Sequence, residues 1–181
     1  MQDEQAIVSR ASRGDTNAFA LLVEQYRDYV FTIAYRILQK REEAEEAAQD
    51  AFVKAWKMLG SFKGTSKFST WLYSIASNTA IDHQRKKHLL TDSLDKEGSF
   101  FQPEDKGALN AQEHMEERER VGTLDKALAQ LPEQDSLLVT LFYMHEKSVD
   151  EIATITGLSV SNVKVKLFRA RAKLRSVYSE E

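Results

Sequence analysis

Six cations (Lys164, Lys166, Arg169, Arg171, Lys173 and Arg175) fall in the stretch "VKVKLFRARAKLR", from Val163 to Arg175, with no acid among them. The chain that carries them is acidic overall, with a formal net charge of -3. Cations at this density are suited to phosphates, and on a helix they can follow the backbone of a nucleic-acid duplex. Other chemistry is scarce. Cysteine is absent, which excludes disulfides, thiolate metal sites and cysteine nucleophiles. His83, His88, His114 and His145 never stand three or four apart, so no helix face offers two imidazoles to a metal. G-x-G-x-x-G, P-loop and H-E-x-x-H patterns are all missing, and carboxylates run in surface-type neighbours such as Glu42-Glu43 and Glu45-Glu46. The expectation is a protein that is not an enzyme and needs no cofactor.

The elements that position the cations are helical. Apolar positions Phe19, Leu22, Val23, Tyr26, Val30, Ile33, Ala34 and Ile37 step by three and four, with Asp15 as an N-cap. Ala44, Ala48, Ala51, Phe52, Ala55 and Leu59 mark a second helix, and Phe68, Trp71, Leu72 and Ile75 a third. Between the second and third, "GSFKGTSK" has the glycines and hydroxyls of a loop. From Thr91 the pattern fails, in a segment holding Gly98, Pro103, Gly107 and many acids, too long for a structureless loop inside one domain. Residues 91–122 hold 9 acids against 4 Lys/Arg, whereas residues 123–181 hold 8 of each. The predicted organisation is therefore all-α, with two small helical domains, 1–90 and 123–181, joined by an acidic flexible linker at 91–122.

Periodicity returns at Leu124, Leu128 and Leu131, and Pro132 suits the first turn of the next helix. Ser148 and Glu151 have capping-box spacing, Gly157 stops that short helix, and Ser159 can cap the next. Val160, Val163, Leu167, Ala170 and Leu174 then give a buried stripe. The alternation V-K-V-K-L could suggest a strand, but R-A-R-A-K-L-R favours helix. Two helices joined by a tight glycine turn, the second cationic outside, describe a helix-turn-helix. In a major groove, Ser159, Ser161, Asn162, Lys164, Val165 and Phe168 would meet base edges, and Lys166, Arg169, Arg171, Lys173 and Arg175 would clamp phosphates.

With these motifs in order, the chain resembles a bacterial RNA polymerase sigma factor of the small, two-domain, extracytoplasmic-function (ECF) type. "LPEQDSLLVTLFYMHEKSVDEIATITGLSVSNVKVKLFRARAKLR" is similar to sigma region 4, which reads the −35 promoter element. "AEEAAQDAFVKAW" resembles region 2.2, and "FSTWLYSIASNTAIDHQRKK" resembles regions 2.3 and 2.4. The resemblance implies docking on core RNA polymerase, at the β′ clamp coiled coil through Glu46, Gln49, Asp50 and Lys54, and at the β flap. It implies opening of the −10 element and capture of an extruded base at Phe62, Lys63, Gly64, Lys67 and Asn78. Tyr73 is expected to stack there, and Arg85, Lys86 and Lys87 to hold the strand backbone. For Phe62, Phe68 and Trp71, burial in the core is an equal expectation. The implied partners are core polymerase, promoter DNA and an anti-sigma factor, often membrane-anchored in this family. The acidic linker resembles nucleic-acid mimicry and equally an ordinary solvated tether. The start, "MQDEQAIVSRASRGD", has acids where a secretory signal needs cations, and no apolar run approaches a membrane span, so the expected location is cytoplasmic. The alternative reading is a helix-turn-helix transcription regulator with an N-terminal helical ligand- or protein-binding domain.

Overall fold

A computed structural model describes residues 4–91 and 126–179. Leu124 and all but the first residue of the expected linker lie outside the described residues. Among those described, every regular element is a helix: α1 (Glu4–Ser12), α2 (Thr16–Leu38), α3 (Arg41–Met58), α4 (Phe68–Thr91), α5 (Glu133–Val139), α6 (Val149–Thr156) and α7 (Val160–Ser179). A 3-10 turn, Leu59–Ser61, ends α3, and α5 widens into a π-type turn over Thr140–Met144.

The N-terminal half is built on α2, which touches α1, α3 and α4. Its expected cap is present: the Asp15 carboxylate accepts the backbone N–H of Ala18 at 3.0 Å. The face of α3 turned inward is almost all alanine (Ala44, Ala47, Ala48, Ala51, Ala55), so its backbone can approach α2 and α4 closely. Leu72, Ala76 and Ala80 of α4 complete this core, each at most 1% exposed. The helix α1 is an addition to the sequence reading. It buries only Ile7, Val8 and Ala11, too few positions to set a period.

In the C-terminal half, Leu128, Leu138, Leu141, Ile152, Ile155 and Val163 are fully buried, each contributing about 1.5–3 kcal/mol by leaving water. The capping box at the head of α6 is closed in both directions. Ser148 Oγ accepts the Glu151 N–H at 3.2 Å, and Glu151 Oε2 accepts the Ser148 N–H at 2.9 Å. Pro132 stands one position before the first helical residue of α5. Gly157 ends α6 at φ 70°, where only glycine is free of steric cost, and Ser159 Oγ accepts the Asn162 N–H at 3.2 Å to start α7. A Cβ at Gly157 would meet nothing within 4 Å, so its penalty is confined to the backbone. Gly157→Ala is expected to lower stability by about 1 kcal/mol, read as a thermal-melt shift of roughly 2–4 °C.

The two halves pack on each other, α2 against α5 and α4 against α6. Arg36, only 5% exposed, donates its Nε to Thr140 Oγ1 at 3.2 Å, and Gln84 Nε2 donates to Glu133 Oε2 at 2.6 Å.

Candidate nucleic-acid and polymerase interfaces

The helix-turn-helix presents one side of α7 to solvent. Val163, Leu167 and Ala170 are buried against α5 and α6, which leaves Ser161, Asn162, Val165, Phe168 and Arg169 on an exposed stripe at helical spacing. Phe168 is 69% exposed and Val165 46%, apolar surface that would suit a thymine methyl and that core packing does not use. The cations around this stripe are not equivalent. Lys164 and Arg169 are exposed, whereas Arg171 donates Nε to Leu167 O at 3.2 Å and Lys173 donates Nζ to Gln130 O at 2.6 Å. Lys166 is held against α5 by an ion pair with Asp135 at 3.1 Å, with 27% and 15% of the two side chains exposed. That pairing makes Lys166 part of the packing between α5 and α7, a poor phosphate clamp in this arrangement.

A second group lies on the loop before α4 and along that helix. Gly64 has φ 68°, a left-handed conformation that lets the loop fold back. Phe62 is half-buried, with its ring 5.8 Å from Phe68 and 5.1 Å from Trp71, so it pins the loop to the helix. Lys63, Gly64 and Lys67 are exposed, as is Asn78 on a helix whose neighbours Ser77 and Thr79 are buried. Arg85, Lys86 and Lys87 are exposed further along, with Lys87 Nζ paired to Glu43 at 2.6 Å. Tyr73 differs from its expected role. It is 2% exposed, set among Tyr26, Tyr29 and His145 with Lys147 Nζ 5.1 Å over its ring, and no face is open to a base. Burial, with the nearby Tyr29 and Glu4, pushes its phenol well above the usual range.

On α3, Glu46, Gln49, Asp50 and Lys54 are all exposed, opposite the alanine face. Two of them are tied to α4: Asp50 Oδ2 lies 2.8 Å from His83 Nε2, and Lys54 Nζ 3.5 Å from Asp82 Oδ2. These two contacts join the outer face of α3 to the helix that carries Asn78.

Residues 22–89 match Sigma-70 region 2, and residues 122–174 match Sigma-70, region 4. Over 175 residues the chain is 34% identical to the RNA polymerase sigma-H factor of Pseudomonas aeruginosa, covering 94% of this chain and 91% of that one. It is also 34% identical over 174 residues to the ECF RNA polymerase sigma factor SigW of Bacillus subtilis, covering 93% and 92%. The chain belongs to the sigma-70 family, in its ECF group.

As a sigma factor it directs RNA polymerase to promoters, in a family that is not a class of enzymes. The regulator alternative gives way because the N-terminal half matches region 2. The sigma factor RpoE of Bartonella quintana, solved with the anti-sigma factor NepR, shares the fold at TM-score 0.66 and 24% identity, covering 89% of this chain and 96% of that one. No described helix of this sigma factor is long and apolar enough to cross a membrane. Sequence reasoning gave no role to the contact between its halves. There His145 lies against Tyr29 at 4.8 Å and Tyr73 at 5.4 Å between ring centroids. Burial first, and then Lys147 and Arg36, lower its pKa to about 4, so the ring is neutral.

Proposed function

We propose that residues 1–90 dock on core polymerase and read the −10 element, while 123–181 read −35 across a tether at 91–122. Glu46, Gln49, Asp50 and Lys54 supply the polar face for the β′ clamp. Asn78 reads the extruded base with the loop Phe62 to Lys67 beside it, and Arg85 to Lys87 hold the backbone. Ser159, Ser161, Asn162, Lys164, Val165 and Phe168 face the −35 bases, with Arg169, Arg171, Lys173 and Arg175 toward phosphates. The observation that carries this reading is the exposed stripe on α7, where Phe168 stays 69% in water beside the fully buried Val163. An anti-sigma factor as partner and a cytoplasmic location follow from the family, and the Bartonella quintana neighbour was solved with such a partner.

Transcription by core polymerase with the purified chain, on templates varied one base at a time, tests both elements. Asn78→Ala is expected to flatten preference at one −10 position by about tenfold while −35 preference is unchanged, because an amide reading a flipped base supplies discrimination more than affinity. A wild-type profile from that variant would move base reading away from Asn78.

A further inference from the structure

The carboxylate of Glu151 serves two contacts at once. Its Oε2 accepts the Ser148 N–H at 2.9 Å within the capping box of α6. Its Oε1 faces the other half of the molecule, where Lys67 Nζ lies at 3.2 Å and Thr70 Oγ1 donates at 3.1 Å. Next to them, Ser69 Oγ accepts Lys147 Nζ at 2.6 Å. Burial alone would raise the Glu151 pKa. Donation from the Ser148 backbone, Lys67, the Ser148 hydroxyl and Thr70 outweighs it and holds the group at about 2, so it stays an anion. A cation and a hydroxyl at the head of the −10 helix therefore grip a negative charge that comes from the −35 domain.

We propose that Lys67 and Thr70 form a contact for a backbone phosphate of the −10 strand, and that Glu151 occupies it as an internal substitute when the two halves are packed together. This rests on the −10 reading above and adds to it Thr70 and a competitor within the chain. Phosphate and carboxylate oxygens take the same ammonium and hydroxyl donors, and charge repulsion keeps both from sharing them. The position fits a strand already read by Asn78, which is eight residues beyond Thr70, about 12 Å along the helix axis. Thr70 is 2% exposed while Glu151 covers it, so strand entry requires the α4–α6 contact to part. The same parting lifts His145 and Lys147 from Tyr73 and uncovers the side of the ring they cover, while Tyr26 and Tyr29 stay against it.

A phosphate contact is independent of sequence, so short single-stranded DNA of mixed sequence is a sufficient probe, titrated against the full chain by fluorescence anisotropy. Glu151→Gln keeps the capping box, because the amide oxygen still accepts the Ser148 N–H, but removes the charge. It is expected to bind the probe about threefold to tenfold more tightly, with a salt slope steeper by about 0.7, one further phosphate on a single strand. Asp150→Asn, an equal charge change on the exposed neighbour, should give little of that gain; in the Glu151→Gln chain Lys67→Gln should abolish the gain and Thr70→Val should reduce it. Equal gains from Asp150→Asn and Glu151→Gln, no gain from Glu151→Gln, or a gain untouched by Thr70→Val would each overturn the proposal. If Asn78→Ala flattens the −10 preference in transcription while Glu151→Gln binds the probe as wild type does, the −10 reading stands and the internal competitor falls. If Asn78→Ala keeps the wild-type −10 profile in transcription and Lys67→Gln does not weaken binding to the probe, both fall.

Discussion

Asp50→Arg is expected to weaken assembly with core polymerase about a hundredfold and leave the fold intact. Reversing a charge at a docked polar contact costs a few kcal/mol of binding, and each 1.4 kcal/mol is about tenfold. The fold is insulated because the Asp50 side chain is 54% exposed and its one described contact is the 2.8 Å approach to His83. Exposed pairs of this kind are worth about 0–1 kcal/mol, so the melting temperature should move by only a few degrees. Asp50→Asn separates the two effects, since its amide can still bond His83 while its charge is gone. Competition binding to core polymerase, run beside thermal melts of the free chain, reads both. Binding of Asp50→Arg at the wild-type level would take Asp50 out of the interface and leave it a tie between α3 and α4.

The sequence made the helices legible where an apolar stripe is long or a cap is chemically distinct. The alanine face of α3, the capping box at Ser148 and Glu151, and the stop at Gly157 each rest on residues within a turn or two of one another. What it left illegible is the packing of one half on the other. The bonds that make it, Arg36 to Thr140, Lys147 to Ser69 and Thr70 to Glu151, join residues 104, 78 and 81 apart. All of them are polar, and periodicity cannot tell a polar residue facing water from one facing another domain. Two site assignments suffer because periodicity does not tell which neighbouring helix a side chain meets. Tyr73 reads as an aromatic available for stacking until Tyr26, Tyr29 and His145 close around it. Lys166 reads as one more cation in a basic strip until Asp135 reaches it from α5. Arg36 carried the one usable signal, a charge beside the apolar stripe of α2, and it is 5% exposed.

The cations of α7 should give −35 binding a steep salt dependence that can be taken apart residue by residue. Residues 123–181 hold 8 acids and 8 Lys/Arg, so the domain has no bulk positive charge to draw duplex toward it. Attraction must come from where the charges stand, and α7 segregates its cations while Asp135, Asp150 and Glu151 sit on α5 and α6. If Arg169, Arg171, Lys173 and Arg175 meet three or four phosphates, log affinity should fall with log salt at a slope of about −3 to −4. From about 50 to about 200 mM salt that is roughly a hundredfold loss. Arg171→Ala or Lys173→Ala should each reduce the slope by about one and weaken all sequences alike. Lys166→Ala should leave the slope nearly unchanged, because its charge is already matched by Asp135 at 3.1 Å. Asn162→Ala should do the opposite of the arginine variant, altering which −35 sequence is preferred with the slope intact. The measurement is a salt titration of the polymerase-bound factor on a −35 duplex with all four variants. A slope that drops for Lys166→Ala and holds for Arg171→Ala would mean that duplex lies against the α5 side of α7. A change of sequence preference from Arg171→Ala, with only the slope moved by Asn162→Ala, would mean that the helix enters the groove by its other end.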